Sequence, residues 1–127
     1  MAKGTRTRLL NAAAPVFVVE EVARSVDYYR NQLGFRIEFT HGEPLAYAGI
    51  ERDNVTLHLQ AARDSARQPG HSALYVFVAD VDEIYRELRS RGAKIANEPH
   101  DYPYGMRDFD VLDPDGNSLC FGMELKK

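Results

Sequence analysis

The residues best suited to grip a small molecule come in aromatic pairs two apart, Tyr75 with Phe77 and Tyr102 with Tyr104. On a strand, a spacing of two puts both side chains on one face. Aromatic rings with scattered polar groups suit a flat, polar organic molecule held by stacking and hydrogen bonds. Two rings on a strand serve equally as core, so Tyr75 and Phe77 stand as core or site. Tyr102 and Tyr104, in a loop bounded by Pro99 and Pro103, stand as surface or as the rim of a cleft. Phe39 and Tyr47 join them as candidate ligand contacts. His58 has no serine or second histidine at fixed spacing, so it is given no acid-base work and counts only as a contact. Arg107 pairs with a neighbouring carboxylate or with the ligand. Cys120 reads as a small buried filler, and His41 and Asp110 as solvated.

A repeated unit must position these side chains. The clearest turn is Asp113-Pro114-Asp115-Gly116-Asn117. Proline presets φ, and Asp and Gly accept the dihedrals of a tight reversal. Short apolar runs on either side, Phe109 to Leu112 and Ser118 to Phe121, make it a hairpin. Earlier in the chain, Ala12 to Val19 reads as a strand, with Pro15 marking an edge or an interruption. Glu20-Glu21 opens a helix whose Val22, Val26, Tyr29 and Leu33 share a face, and Gly34 stops it. Phe35, Ile37 and Phe39 alternate with polar residues as a half-buried strand, followed by strands over Leu45 to Ile50 and Val55 to Gln60. After a polar linker, 61–70, the pattern restarts. Ser72 to Ala79 is a buried-looking strand, Asp80 caps a helix against Glu83, and Val81, Ile84, Tyr85 and Leu88 form its apolar face. Gly92 ends that helix, Ala93 to Ala96 is a strand, and Asn97 to Gly105 is a loop.

Laid over each other, Val19-Glu20-Glu21-Val22 matches Val78-Ala79-Asp80-Val81, and Gly34-Phe35-Arg36-Ile37 matches Gly92-Ala93-Lys94-Ile95. Ordered landmarks at a near-constant offset indicate duplication. The expected architecture is α+β: an N-terminal arm over 1–11, then one domain over 12–127. That domain holds two βαβββ modules, 12–60 and 71–122, enclosing a cleft. Alternation turns Ala14, Val16, Val18, Thr56, His58, Gln60, Ala73, Tyr75, Phe77, Ser118 and Cys120 towards the cleft. It turns Leu57, Leu59, Leu74, Val76, Leu119 and Phe121 towards the helices.

A chain of 127 residues with net charge −3 has one core and is a poor partner for nucleic acid. No apolar run approaches the ~20 residues that span a membrane. The basic N-terminal stretch lacks the apolar segment of a signal peptide. A single cysteine excludes an internal disulfide and suits a reducing cytoplasm.

The duplication and the Asp-Pro-Asp-Gly-Asn turn resemble the glyoxalase/bleomycin resistance/dioxygenase (vicinal oxygen chelate) superfamily. Pro15-Val16, Leu33-Gly34-Phe35, Val55-Thr56-Leu57 and Pro103-Tyr104-Gly105 make the bleomycin resistance proteins the nearest likeness. The resemblance implies a homodimer with clefts at its interface, with the N-terminal strand exchanged between protomers as one form of it. It also implies that enzymes of the superfamily hold a metal at four positions, which fall here on Ala14, His58, Ala73 and Cys120. Two alanines supply no ligand, and His plus Cys is half a site. Moving the register from Ala73 to His71 would displace a ligand by ~6–7 Å. The expected function is therefore sequestration of a bleomycin-type cationic glycopeptide without cofactor or metal. The alternative is a metal-dependent lyase, isomerase or ring-cleaving dioxygenase.

Overall fold

The structure is a computed structural model that describes residues 7–126. Residues 1–6 of the expected arm lie outside it, and residues 7–11 form no regular element. The first module is β1 (Val16–Val19), α1 (Val22–Asn31), β2 (Arg36–His41), β3 (Tyr47–Arg52) and β4 (Val55–Ala61). The second is β5 (Ala73–Phe77), α2 (Val81–Ser90), β6 (Lys94–Ile95), the two-residue β7 (His100–Asp101), β8 (Met106–Leu112) and β9 (Ser118–Glu124). The first sheet runs β1-β4-β3-β2. The second runs β5-β9-β8-β6, with β7 also on β8. In each, the first strand pairs in parallel with the last and the rest are antiparallel.

Register makes the duplication concrete. Val16 pairs with His58 as Tyr75 pairs with Cys120, and Phe17 pairs with Leu59 as Val76 pairs with Phe121. Phe17, Leu57, Leu59, Ala48 and Ile50 of one module and Val76, Leu119, Phe121, Phe109 and Val111 of the other all enter the core, where the helices pack on them. The two halves agree on their inner faces and have diverged on the outer ones.

The helix signals hold. Phe35 N–H donates to Tyr29 C=O at 3.0 Å across Gly34, whose φ is 76°, a left-handed helix stop. Asp80 Oδ1 accepts from the Glu83 N–H at 3.1 Å, and Val81 and Leu88 are buried.

Three strand expectations are corrected. β1 begins at Val16, not Ala12: Pro15 has no N–H to donate, and the ladder starts after it. β5 does not read as buried, since only Val76 of its five residues is. It is an edge strand whose Tyr75 and Phe77 face outward. β2 is exposed along its whole length rather than half-buried. Its register shifts between Ile37, which faces Ile50, and Phe39, which faces Gly49. That bulge puts Ile37 and Phe39 on opposite sides of the sheet and re-aims Phe39 to the outer face.

The Asp113 turn is also the lock between modules. Asp113 and Asn117 are fully buried. Asp113 Oδ1 accepts the N–H groups of Asp115 and Asn117, and Oδ2 accepts from Asn117 Nδ2 at 2.9 Å and from the Tyr29 hydroxyl of α1 at 3.0 Å. Asn117 Nδ2 also reaches Val18 C=O, and its Oδ1 takes the Ser72 N–H. One turn thereby ties β1, α1 and the start of β5. Each Asp113 carboxylate oxygen thus accepts two donors, and the turn is held as a structural element.

Candidate functional site

On the outer face of the first sheet, Phe39, Gly49, His58 and Val16 form one cross-strand row. Tyr47 lies two residues before Gly49 on the same face. Its hydroxyl is 2.8 Å from His58 Nδ1. The Phe39 and Tyr47 rings stack at 6.2 Å, and Phe39 meets His58 edge-on at 5.4 Å. The sequence-predicted Phe39, Tyr47 and His58 are thus one cluster. Val18, on this face by register, is fully buried and takes no part in the open surface.

On the outer face of the second sheet, Phe77, Gly122, Asp108 and His100 form a row, with Tyr75, Cys120 and Asp110 beside it. The hydroxyls of Tyr75 and Tyr104 both donate to Asp108 Oδ2, at 2.9 and 3.0 Å. Tyr102 stacks on Tyr104 at 5.2 Å with planes 8° apart, and Tyr75 lies 5.1 Å from Phe77. Tyr75, Phe77, Tyr102 and Tyr104 are therefore brought together. Phe77 is 75% exposed, Tyr104 64%, Phe39 42% and Tyr75 37%. Asp108 is only 3% exposed, and among the described residues no Lys, Arg or His pairs with it or with Asp110.

The electrostatics follow from that buried carboxylate. Desolvation first, and the bond to Asp108 second, hold Tyr75 neutral well above the usual phenol range. The ring of Tyr104 is open to solvent but its hydroxyl is tucked against the sheet. The same two causes push that hydroxyl up to about 12. Burial, with Asp110 alongside, pushes the Cys120 thiol up, so it is no thiolate nucleophile at neutral pH. Cys120 is half-buried rather than a buried filler, and Asp110 is half-buried beside it rather than solvated.

Arg107 does not join either cluster. Its guanidinium bonds Asp101 Oδ1 at 2.8 Å and Asp82 Oδ1 at 3.0 Å, the carboxylate pairing of its two readings. Sequence reasoning missed Asp108, Gly49 and Gly122. Glycines inside strands were the available signal, since they mark close approach.

A groove of about 430 Å³ lies between the modules, lined by Phe35, Arg52, Val55, Ile84 and Leu88 among others. Of the candidate contacts it includes only Phe77. Its charged wall is closed by Arg52 and Glu87, bidentate at 2.8 and 2.9 Å. The candidate ring contacts other than Phe77 lie outside this groove, on the outer faces of the two sheets.

Metal ligation does not fit. Ala14 and Ala73 have no donor atoms, which leaves His58 and Cys120 as half a site. Among the described residues no three His, Cys, Asp or Glu side chains are grouped to hold a metal ion, and no helix is long and apolar enough to cross a membrane.

Two βαβββ modules define a class by fold, and the chain belongs to it. Residues 10–121 match the Glyoxalase/Bleomycin resistance protein/Dioxygenase superfamily. Within it, the chain is 26% identical over 129 residues to a bleomycin resistance protein of Geobacillus stearothermophilus, covering 88% of this chain and 96% of the relative. It shares its fold with a bleomycin-binding protein crystallised with bleomycin (TM-score 0.76, 20% identity, 91% of this chain and 99% of that one). It shares it equally with the bleomycin-binding protein of Streptomyces verticillus in complex with copper(II)-bleomycin (TM-score 0.73, 23% identity, 95% and 100%).

Proposed function

We propose that the protein binds a bleomycin-type antibiotic, a flat aromatic ligand joined to a cation, and sequesters it without chemistry. The observation that carries this reading is the set of exposed rings around Asp108. Large apolar rings left open to water on a fold with a full core mark a binding surface. Rings supply stacking, and Asp108 with Asp110 supplies negative charge that no described cation of the chain answers. The bleomycin resistance relative and the bleomycin complexes of similar fold support the same ligand class.

The two clusters sit on separate sheets, with no ring of one against a ring of the other among the aromatic contacts. A C2 homodimer that sets one sheet face against the partner's would enclose them in a cleft and cover the edge strands. The binding residues in this reading are Phe39, Tyr47, His58, Tyr75, Phe77, Tyr102 and Tyr104, with Arg107 holding the frame through Asp82 and Asp101.

The test is expression in a bleomycin-sensitive host together with metal analysis of the purified protein. Protection of the cells by protein without stoichiometric metal is expected. About one metal per chain, lost when His58 is changed to Ala, would overturn the metal-free reading and favour the enzyme alternative.

A further inference from the structure

Both outer faces use glycine in the same way. Neither Gly49 nor Gly122 has a positive φ, so backbone freedom is not the reason for either. The space above them is. A Cβ at Gly49 would overlap the Phe39 ring, with Cδ2 at 2.7 Å and Cζ at 2.9 Å. A Cβ at Gly122 would overlap the Tyr75 phenol, with Cζ at 2.6 Å, and would crowd Asp108 Cβ at 3.0 Å. Phe39 lies over its direct cross-strand partner. Tyr75 pairs with Cys120, and its ring crosses diagonally over Gly122 to reach Asp108. The duplication does not explain the pair. Gln60 stands where the first module corresponds to Gly122, and Asp110 where the second corresponds to Gly49.

We propose that Gly49 and Gly122 are specificity-determining positions of the ligand site. Each is a seat in the sheet floor that lets one aromatic ring lie down. A ring lying on the floor offers its face upward, the geometry that stacks a planar ligand. A ring pushed up by a methyl group stands in the cleft and fills it. At Gly122 the seat also holds the Tyr75 hydroxyl on Asp108, so one missing side chain fixes both the stacking surface and the acidic group beside it. The inference rests on reading these faces as the ligand site, and it selects flat ligands over bulky ones.

Both rings are partly open to solvent, so a methyl group at either seat is accommodated by the ring swinging out rather than by the backbone. Ala is also the better strand residue. The experiment compares the parent, Gly122→Ala, Tyr75→Ala and the double variant, with Gly49→Ala as the second seat. Metal-free bleomycin is titrated calorimetrically, and tyrosine ionisation is followed by ultraviolet absorbance without ligand. Gly122→Ala should melt close to the parent and bind about tenfold more weakly. In the Tyr75→Ala background, where there is no ring to displace, adding Gly122→Ala should change affinity by less than about twofold. Without ligand, Gly122→Ala should add one tyrosine to those ionising near the ordinary value of about 10.

Parent-like binding by both glycine variants, an equal loss with and without Tyr75, or unfolding of both variants would overturn the proposal. If the parent binds no bleomycin, the functional reading fails. The absorbance titration then still decides, with no ligand needed, whether Gly122 seats Tyr75.

Discussion

Replacing Tyr29 by Phe removes one oxygen from the lock between the modules and should give a stability loss that disappears in alkali. Tyr29 is fully buried, and its hydroxyl donates to Asp113 Oδ2 at 3.0 Å. A hydrogen bond to a charged group contributes about 1.5–3 kcal/mol. Asn117 Nδ2 still serves the same oxygen, and two backbone N–H groups serve the other, so the low end, about 1.5 kcal/mol, applies near neutral pH. Burial first, and then the Asp113 charge, raise the Tyr29 phenol well above its ordinary value. Below about pH 10 it is neutral in both states, and its stabilisation is fully present. Above that, only the unfolded chain ionises it, and stability falls by about 1.4 kcal/mol per pH unit until the folded phenol also titrates. The Phe variant does not carry this loss. The gap of about 1.5 kcal/mol should therefore close almost to zero near pH 11. Urea unfolding followed by circular dichroism at both pH values measures it. A gap that stays the same at both would show that the fold does not hold Tyr29 neutral, and a gap under about 0.5 kcal/mol at neutral pH that the hydroxyl anchors nothing.

Other perturbations separate frame from site. Leu88→Ala should cost about 2–5 kcal/mol in urea unfolding, in the lower half of that range because Leu88 borders the inter-module groove and its neighbours have room to relax. Tyr104→Ala, at a ring 64% exposed, should cost less than about 1 kcal/mol of stability yet weaken bleomycin binding several-fold by calorimetry. Equal effects of the two variants on stability would make Tyr104 part of the frame. Light scattering at micromolar concentration should return the mass of a dimer, and a monomer would leave the two aromatic clusters apart.

Much of this fold was legible because periodicity and capping act locally. The Gly34 stop, the Asp80 cap, the apolar face of α2 and the Asp113 hairpin each follow from a few neighbouring residues. The outer faces were less legible. Period two placed Phe39 with Phe35 and Ile37, and one extra residue in β2 moved it to the other side. Tyr75 and Phe77 read as core or site, and their exposure removes the core reading. Asp108 went unnoticed because a carboxylate directly after Arg107 reads as a solvated, locally paired charge. Its burial comes from tyrosines on β5 and the β7–β8 turn, which no local window joins. Arg107 was indistinct for the same reason, with one of its carboxylates on α2 and the other on β7.

The most direct test of the ligand assignment is calorimetric titration of metal-free bleomycin into the unaltered protein at low and at raised salt. The account predicts a saturating heat at one ligand per chain, with affinity falling as salt screens the attraction of a cation to Asp108 and Asp110. No heat at either salt, with no rise in melting temperature when the drug is in excess, would contradict it.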